Sequence, residues 1–314
     1  MDTDTPRPPY RFGQYEPAQR LLVHLSDLHL LANGALLGGA HDTERGALAM
    51  LDAIERAVAQ DAPSARPDAL VITGDLTELG EQAAYRRLRE LVEPVADRLG
   101  CPVVWVAGNH DERPEMRRDL LDLDASQEPI TGEWDLDGLR VIALDSTVPG
   151  WHHGRLGDEQ RAWLAERLAT TAPLGTLLAL HHPPLPSHVP MFGILELQDQ
   201  SELADIVRGS DVRGILAGHL HYATSGTFAG VPVTVAAASC YTMNLQNLPE
   251  RVNGMGAGQS FDLVHVYADT ITHSVVPVAE AATRGSFDDE WYARMAGLSP
   301  AERLEAFSRK PPRG

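Results

Sequence analysis

Short apolar runs rich in β-branched residues alternate with longer amphipathic stretches over the first two thirds of the chain, and that alternation predicts an α/β fold. Strands are expected at residues 21–25, 69–73, 103–107, 139–144, 176–180 and 214–217. Between them, Ala47, Leu51, Ile54 and Val58 share one face of a helix over 43–60. Tyr85, Leu88, Leu91, Val95 and Leu99 form the stripe of a second helix over 81–99, where Pro94 predicts a kink or break. Shorter helices are expected at 158–169 and 201–207. After His221 the pattern changes to short strands at 225–228, 231–237, 261–266 and 270–276 with no long helix between them. Gly230 separates the first two as a hairpin would, so these four strands are expected to build a second, antiparallel-leaning sheet packed on the first. Residues 1–19 read as an N-terminal extension and 20–280 as one large domain. Residues 281–314 read as a peripheral tail with one helix at 301–308.

Each of five polar clusters directly follows a predicted strand. They are Ser26-Asp27-Leu28-His29, Gly74-Asp75, Gly108-Asn109-His110-Asp111, His181-His182 and Gly218-His219-Leu220-His221. Side chains at the carboxyl ends of strands in an open α/β sheet converge on one crevice, where ligands bind. Asp27, His29, Asp75, Asn109, His181, His219 and His221 would bring carboxylate and amide oxygens together with imidazole nitrogens, and no thiolate. That donor set suits Mn, Fe or Zn rather than a cysteine-type structural zinc. A carboxylate has two oxygens, so Asp75 can bridge a pair of cations. Two metals about 3.5–4 Å apart can hold a bridging hydroxide and clamp the attacking and leaving oxygens of an in-line displacement. Phosphoester cleavage is the chemistry most in need of such a clamp.

The ordered series D-x-H, G-D, G-N-H-D, H-H and G-H-x-H resembles the calcineurin-like metallophosphoesterase superfamily. Arg66-Pro67-Asp68-Ala69, Glu93-Pro94, Val104-Trp105-Val106, Val148-Pro149-Gly150 and Leu216 to Tyr222 extend the resemblance to its class III cyclic nucleotide phosphodiesterases. It covers roughly residues 20 to 280. The resemblance implies a four-layer αββα sandwich of two packed mixed β-sheets with flanking helices. It implies that Asp27, His29, Asp75 and His221 bind one metal and that Asp75, Asn109, His181 and His219 bind a second, with Mn or Fe common in both. His110 would act beside the scissile phosphate as general acid or transition-state stabiliser, with Asp111 orienting it. The expected reaction is hydrolysis of 3′,5′-cyclic AMP to AMP, and a homodimer is the implied assembly. The alternatives are a broader phosphodiesterase preferring 2′,3′-cyclic nucleotides or glycerophosphodiesters, and a non-catalytic scaffold, which metal analysis would recognise.

Other polar residues have two readings each. Glu78 and one of His152 and His153, with His153 preferred, either reach the substrate or are ordinary loop residues. His182 reads as a supporting neighbour of His181, and His24 as a satisfied core histidine. Asp42 or Thr43 reads as a helix N-cap. Residues 183–199 are a lid over the substrate or a surface excursion.

The formal net charge of −18 argues against a nucleic-acid polymer as partner, while bound metal ions can reverse the field locally for a small anion. Hydrophobic residues at 43% and charged residues at 22% fit a soluble globular chain. No window is long and apolar enough to span a bilayer. The 2 cysteines, Cys101 and Cys240, cannot build a disulfide framework, which fits a cytoplasmic setting. Arg309, Lys310 and Arg313 supply too few basic charges to anchor the tail to a membrane.

Overall fold

The computed structural model describes residues 12–58, 66–248, 251–279 and 285–310. Its elements follow the chain as β1 (Arg20–Leu25), α1 (Thr43–Val58), β2 (Ala69–Thr73), α2 (Gln82–Leu99), β3 (Val103–Val106), α3 (Arg113–Asp119), β4 (Gly132–Leu136) and β5 (Leu139–Leu144). There follow α4 (Asp158–Leu168), β6 (Thr176–Leu180), α5 (Gln200–Val207), β7 (Val212–Ala217), β8 (Thr224–Phe228) and β9 (Val231–Val235). The chain continues through β10 (Thr242–Met243), β11 (Gly254–Met255), β12 (Ser260–Val266), β13 (Ile271–Pro277), α6 (Asp289–Ala296) and α7 (Pro300–Arg303).

Two mixed sheets lie face to face. The first has the order β13-β12-β1-β2-β3 and the second β4-β5-β6-β7-β9-β8. In the first, β1, β2 and β3 run parallel, and β12 is antiparallel to β1. In the second, β5, β6, β7 and β9 run parallel, with antiparallel β4 and β8 at the edges. One apolar cluster seats α1 and α2 on the outside of the first sheet through Met50, Ile54, Tyr85 and Leu88. A second, with Leu164, Leu203 and Val207, seats α4 and α5 on the outside of the other. Leu22, Val71, Val104, Val141, Leu177 and Leu216 fill the layer between the sheets. These are the four αββα layers. Strands covered on both faces explain the apolar runs of β2 and β6, which are buried throughout.

Three expectations change. The four strands after His221 do not form a sheet of their own: β8 and β9 extend the second sheet beside β7, and β12 and β13 extend the first beside β1. An apolar pattern sets which face of a strand is buried, but leaves its neighbour open. The predicted hairpin at Gly230 is present, turning through Ala229 (φ 51°) and Gly230 (φ 93°). Of the kink or break expected at Pro94, the break is absent, because α2 is continuous through that residue. Pro94 is exposed, so the carbonyl it deprives of a partner faces water while Leu91, Val92, Val95 and Ala96 are buried around it. The tail holds α6 and α7 where one helix was expected, α7 running on into a π-helical turn at Leu304–Ser308. Phe12 stacks on Tyr292 at 6.2 Å, tying the N-terminal extension to this tail. The end of the predicted first helix at 59–60 and Arg313 lie outside the described residues. No helix among the described residues is long and apolar enough to cross a membrane.

Candidate metal centre

All five polar clusters leave the carboxyl ends of strands, but of two sheets. β1, β2 and β3 of the first deliver Asp27, His29, Asp75 and Asn109; β6 and β7 of the second deliver His181, His219 and His221. The expected crevice is therefore the meeting line of two sheet edges. The backbone there is unusual. Asp27, His29, Asp75, His219 and His221 all take positive φ, between 47° and 73°, a region that side chains other than glycine's rarely occupy. Such conformations cost on the order of 1–3 kcal/mol each and persist where the surroundings over-determine them. Here the Asp27 amide donates to the Gly74 carbonyl at 3.1 Å and the His29 amide to the Asp75 carbonyl at 2.8 Å. The two sheets are also tied directly, because the His219 amide donates to the Asp27 carboxylate at 3.1 Å. A Cβ on Gly218 would lie 1.9 Å from Ser26 Oγ, so glycine is what allows this approach.

The side chains form two groups around one carboxylate. Asp75 Oδ2 lies 3.3 Å from His29 Nε2 and 3.3 Å from His181 Nε2. On the first side, His29 Nε2 is 3.1 Å from His221 Nε2, which is 3.5 Å from Asp27 Oδ1. On the second, His181 Nε2 is 3.1 Å from Asn109 Oδ1, and the ring of His219 lies 5.0 Å from that of His181. Asp27, His29, Asp75 and His221 offer four ligand atoms, all within 4.8 Å of one another.

Hydrogen bonding on the far side of each ring decides what these atoms present. Nδ1–H of His29 donates to Glu78 Oε2 at 2.6 Å, that of His181 to the Thr73 carbonyl at 2.7 Å, and that of His221 to the Tyr241 carbonyl at 3.1 Å. In the neutral rings, Nε2 then carries a lone pair, and three lone pairs point at one another and at carboxylate and amide oxygens. Acceptors gathered like this are held together by cations. His219 Nε2 is buried with no hydrogen-bond partner, as a ligand without its metal would be. Charge follows the same logic. Burial, then the rings of His182 and His181, push His219 well below the usual histidine range; burial takes His221 down to about 4. Both are neutral and ready to ligate at pH 7. Burial opposes charge on His29 and His181 too, but Cys240, Asp75 and Glu78 raise His29 above its usual value, the first only where its thiol is ionised, and Asp75 holds His181 at about 9. Asp75 itself, despite burial, is held well below the carboxylate range by His181 and His29. The residues present fit a pair of cations sharing Asp75.

Around this centre the remaining candidates sort by contact. His110 Nδ1–H donates to the Glu78 carbonyl at 3.1 Å, and its ring lies 4.8 Å from that of His29. Asp111 does not orient it. The Asp111 carboxylate instead accepts from the amides of Leu76, Thr77 and Gly108 and from the Tyr85 hydroxyl, fixing the backbone after β2 and β3. Glu78 is the residue that spans His29 and His110. Of the histidine pair in the loop, His152 and not His153 meets the centre. Asn109 Nδ2 donates to His152 Nδ1 at 2.9 Å, while His153 lies against Trp151 at 5.5 Å. The bends at 152 and 153 choose between them, and residue order does not reveal it. His182 Nδ1 pairs with the Ser146 hydroxyl at 2.8 Å, a supporting role. Asp42 accepts from the Arg45 amide at 3.0 Å as a helix cap. The segment 183–199 is packed by buried Leu185, Val189, Phe192 and Leu197, with the Phe192 ring 6.3 Å from His219. Cys240, missed in the sequence for want of a motif, lies 3.7 Å from His221 Nδ1; burial lifts its thiol to about 12, so it stays protonated.

The family model for calcineurin-like phosphoesterases matches residues 21–223. The chain belongs to this family. Among its relatives is a cAMP/cGMP dual specificity phosphodiesterase of Mycobacterium tuberculosis, 48% identical over 307 residues that cover 96% of this phosphoesterase and 95% of the relative. A 3′,5′-cyclic adenosine monophosphate phosphodiesterase of Pseudomonas aeruginosa is 35% identical, covering 65% of this chain and 70% of that one. A dimetal phosphatase from Danio rerio shares the fold at a TM-score of 0.59 and 15% identity, covering 84% of this chain and 98% of its own.

Proposed function

We propose that this phosphoesterase hydrolyses 3′,5′-cyclic nucleotides, cyclic AMP first, to the 5′-monophosphates with a pair of bound metal ions. The observation that carries the reading is the convergence of imidazole nitrogens and carboxylate oxygens on either side of Asp75. The names of the mycobacterial and pseudomonad relatives support the substrate.

Asp27, His29, Asp75 and His221 would hold one ion, and Asp75, Asn109, His181 and His219 the other. The ions supply Lewis-acid polarisation of the phosphoryl group and a water acidic enough to attack at neutral pH. The chain does the rest. Asn109 offers its oxygen inward while its amide nitrogen is occupied by His152, which fixes the side chain against rotation. His110, held by the Glu78 carbonyl through Nδ1, has Nε2 left for the departing alkoxide; the Glu78 carboxylate, 3.4 Å away, accompanies the ring when it carries the proton. His152 beside His110, at 5.0 Å between rings, is placed to meet the phosphate or ribose.

The oxygen and nitrogen donors, with Cys240 held as a thiol, favour Mn or Fe, with Zn as the third candidate. We assign catalysis to residues 20–280, with 281–314 peripheral, a homodimer as the assembly and the cytoplasm as the compartment. The free Cys101 and Cys240 are in keeping with the last. The test is kcat/KM for 3′,5′- and 2′,3′-cyclic nucleotides, a glycerophosphodiester and an aryl monoester on protein of measured metal content. Preference for 3′,5′-cyclic AMP is expected; no turnover of any cyclic nucleotide by metal-replete protein would overturn the reading.

A further inference from the structure

The layer between the sheets is apolar along most of its length and then becomes polar near β8 and β13. His24 on β1 faces Asp262 across the ladder, and Val264, the next residue of β12 on that face, pairs with His273 on β13. These three side chains face the other sheet, His24 and Asp262 buried and His273 half-buried on the edge strand. Asp262 is 1% exposed and His24 0%. Across from them, Ser225 of β8 pairs with Thr234 of β9. The space between is a cleft of about 430 Å³, open at its rim where Ser225 and Val275 are exposed, and lined among others by Pro232, Thr234, Asp262 and His273. That is within the usual size range of small-molecule sites.

Four polar atoms here are buried without a hydrogen-bond partner: His24 Nδ1, Asp262 Oδ2 and both ring nitrogens of His273. His24 Nε2 is engaged by the Thr73 hydroxyl at 3.0 Å, and its Nδ1 stands 3.5 Å from Asp262 Oδ2, short of a hydrogen bond. A buried carboxylate oxygen left in this state is costly, and a cationic donor is what would relieve it. His273 does not supply the charge, because burial takes its ring down to about 4. It offers a neutral nitrogen instead. One carboxylate oxygen, one imidazole nitrogen and the hydroxyls of Ser225 and Thr234 form an acceptor set suited to the three N–H donors of a primary ammonium group. Pro232 and Val275 supply an apolar wall for whatever carries it. We propose that this inter-sheet cleft is a second binding site, for a small organic molecule bearing a primary ammonium group, with Asp262 as its anchor. The strongly acidic chain, at −18, favours the approach of such a cation.

The probe is benzylammonium, titrated by calorimetry into the full-length, metal-loaded protein, with benzyl alcohol as the uncharged control. Saturable binding of benzylammonium is expected, with benzyl alcohol at least tenfold weaker. Asp262→Asn should weaken it by about 10–100-fold, the usual size of a lost charge-assisted contact. Ser225→Trp, which fills the cleft from its rim and leaves Asp262 in place, should abolish it while thermal stability is retained. Equal binding to the parent and Ser225→Trp would overturn the proposal. So would equal binding of the alcohol, or a crystal structure in benzylammonium showing only ordered waters between Asp262 and His273.

Discussion

Glu78 and His110 show how the candidate site separates holding a metal from moving a proton. His110 makes no contact with Asp75 through its ring; its backbone amide donates to Asp75 Oδ1 at 2.9 Å. Replacing the side chain alone, His110→Ala, is therefore expected to lower kcat by about 10²–10⁴-fold with metal content unchanged, measured by elemental analysis beside steady-state kinetics. Glu78 accepts from His29 Nδ1 at 2.6 Å and would act on a bound metal through that ring. Glu78→Gln should weaken metal binding by about 10–100-fold, read by competition with a chelating dye. Protons give a third outcome. In metal-free protein His29 lies above the usual histidine range and His181 at about 9, so both hold a proton at pH 7. Ligation needs the neutral rings, so metal uptake at pH 7 should release close to two protons. Apparent affinity should then rise as pH rises towards 9. Calorimetry in buffers of different ionisation enthalpy counts those protons, and release of none would contradict the assignment.

At the scale of elements, α2 carries a liability on its solvent face. Pro94 interrupts the backbone bonding of a helix that packing keeps continuous, so Pro94→Ala should stabilise the protein by about 1–3 kcal/mol in chemical denaturation, with activity unchanged. The strands that position the ligands were legible because burial on both faces writes them as apolar runs. Less legible was α3, whose one buried apolar residue, Met116, leaves no stripe, and β4, an edge strand of sequence Gly-Glu-Trp-Asp-Leu. The seven proposed ligands could be read from spacing because each follows its strand by no more than four residues. His152 could not, because a bend and a contact to Asn109, 43 residues away, select it over His153. Asp111 was misread for a related reason. Adjacency to His110 suggested a partner, whereas its carboxylate points back to the amides of Leu76 and Thr77.

On the scale of the whole molecule, the metal centre lies where the two sheets touch, so occupancy should stabilise both together. A ligand present at about a thousand times its dissociation constant adds about 4 kcal/mol. Chelation followed by dialysis should thus lower Tm by on the order of 5–10 °C in scanning calorimetry, and Mn should restore it. The tie between the Asp27 carboxylate and the His219 amide adds something further. Because each group of ligands is drawn from both sheets, the spacing of the ligand atoms is a direct gauge of how the two sheets sit. Trimming Leu22, Val71 or Leu216, all fully buried between the sheets, would let one sheet slide on the other by fractions of an ångström. The hydrolytic rate would register that slip before the fold did, which makes the interior of this molecule as answerable to natural selection on turnover as its ligands are.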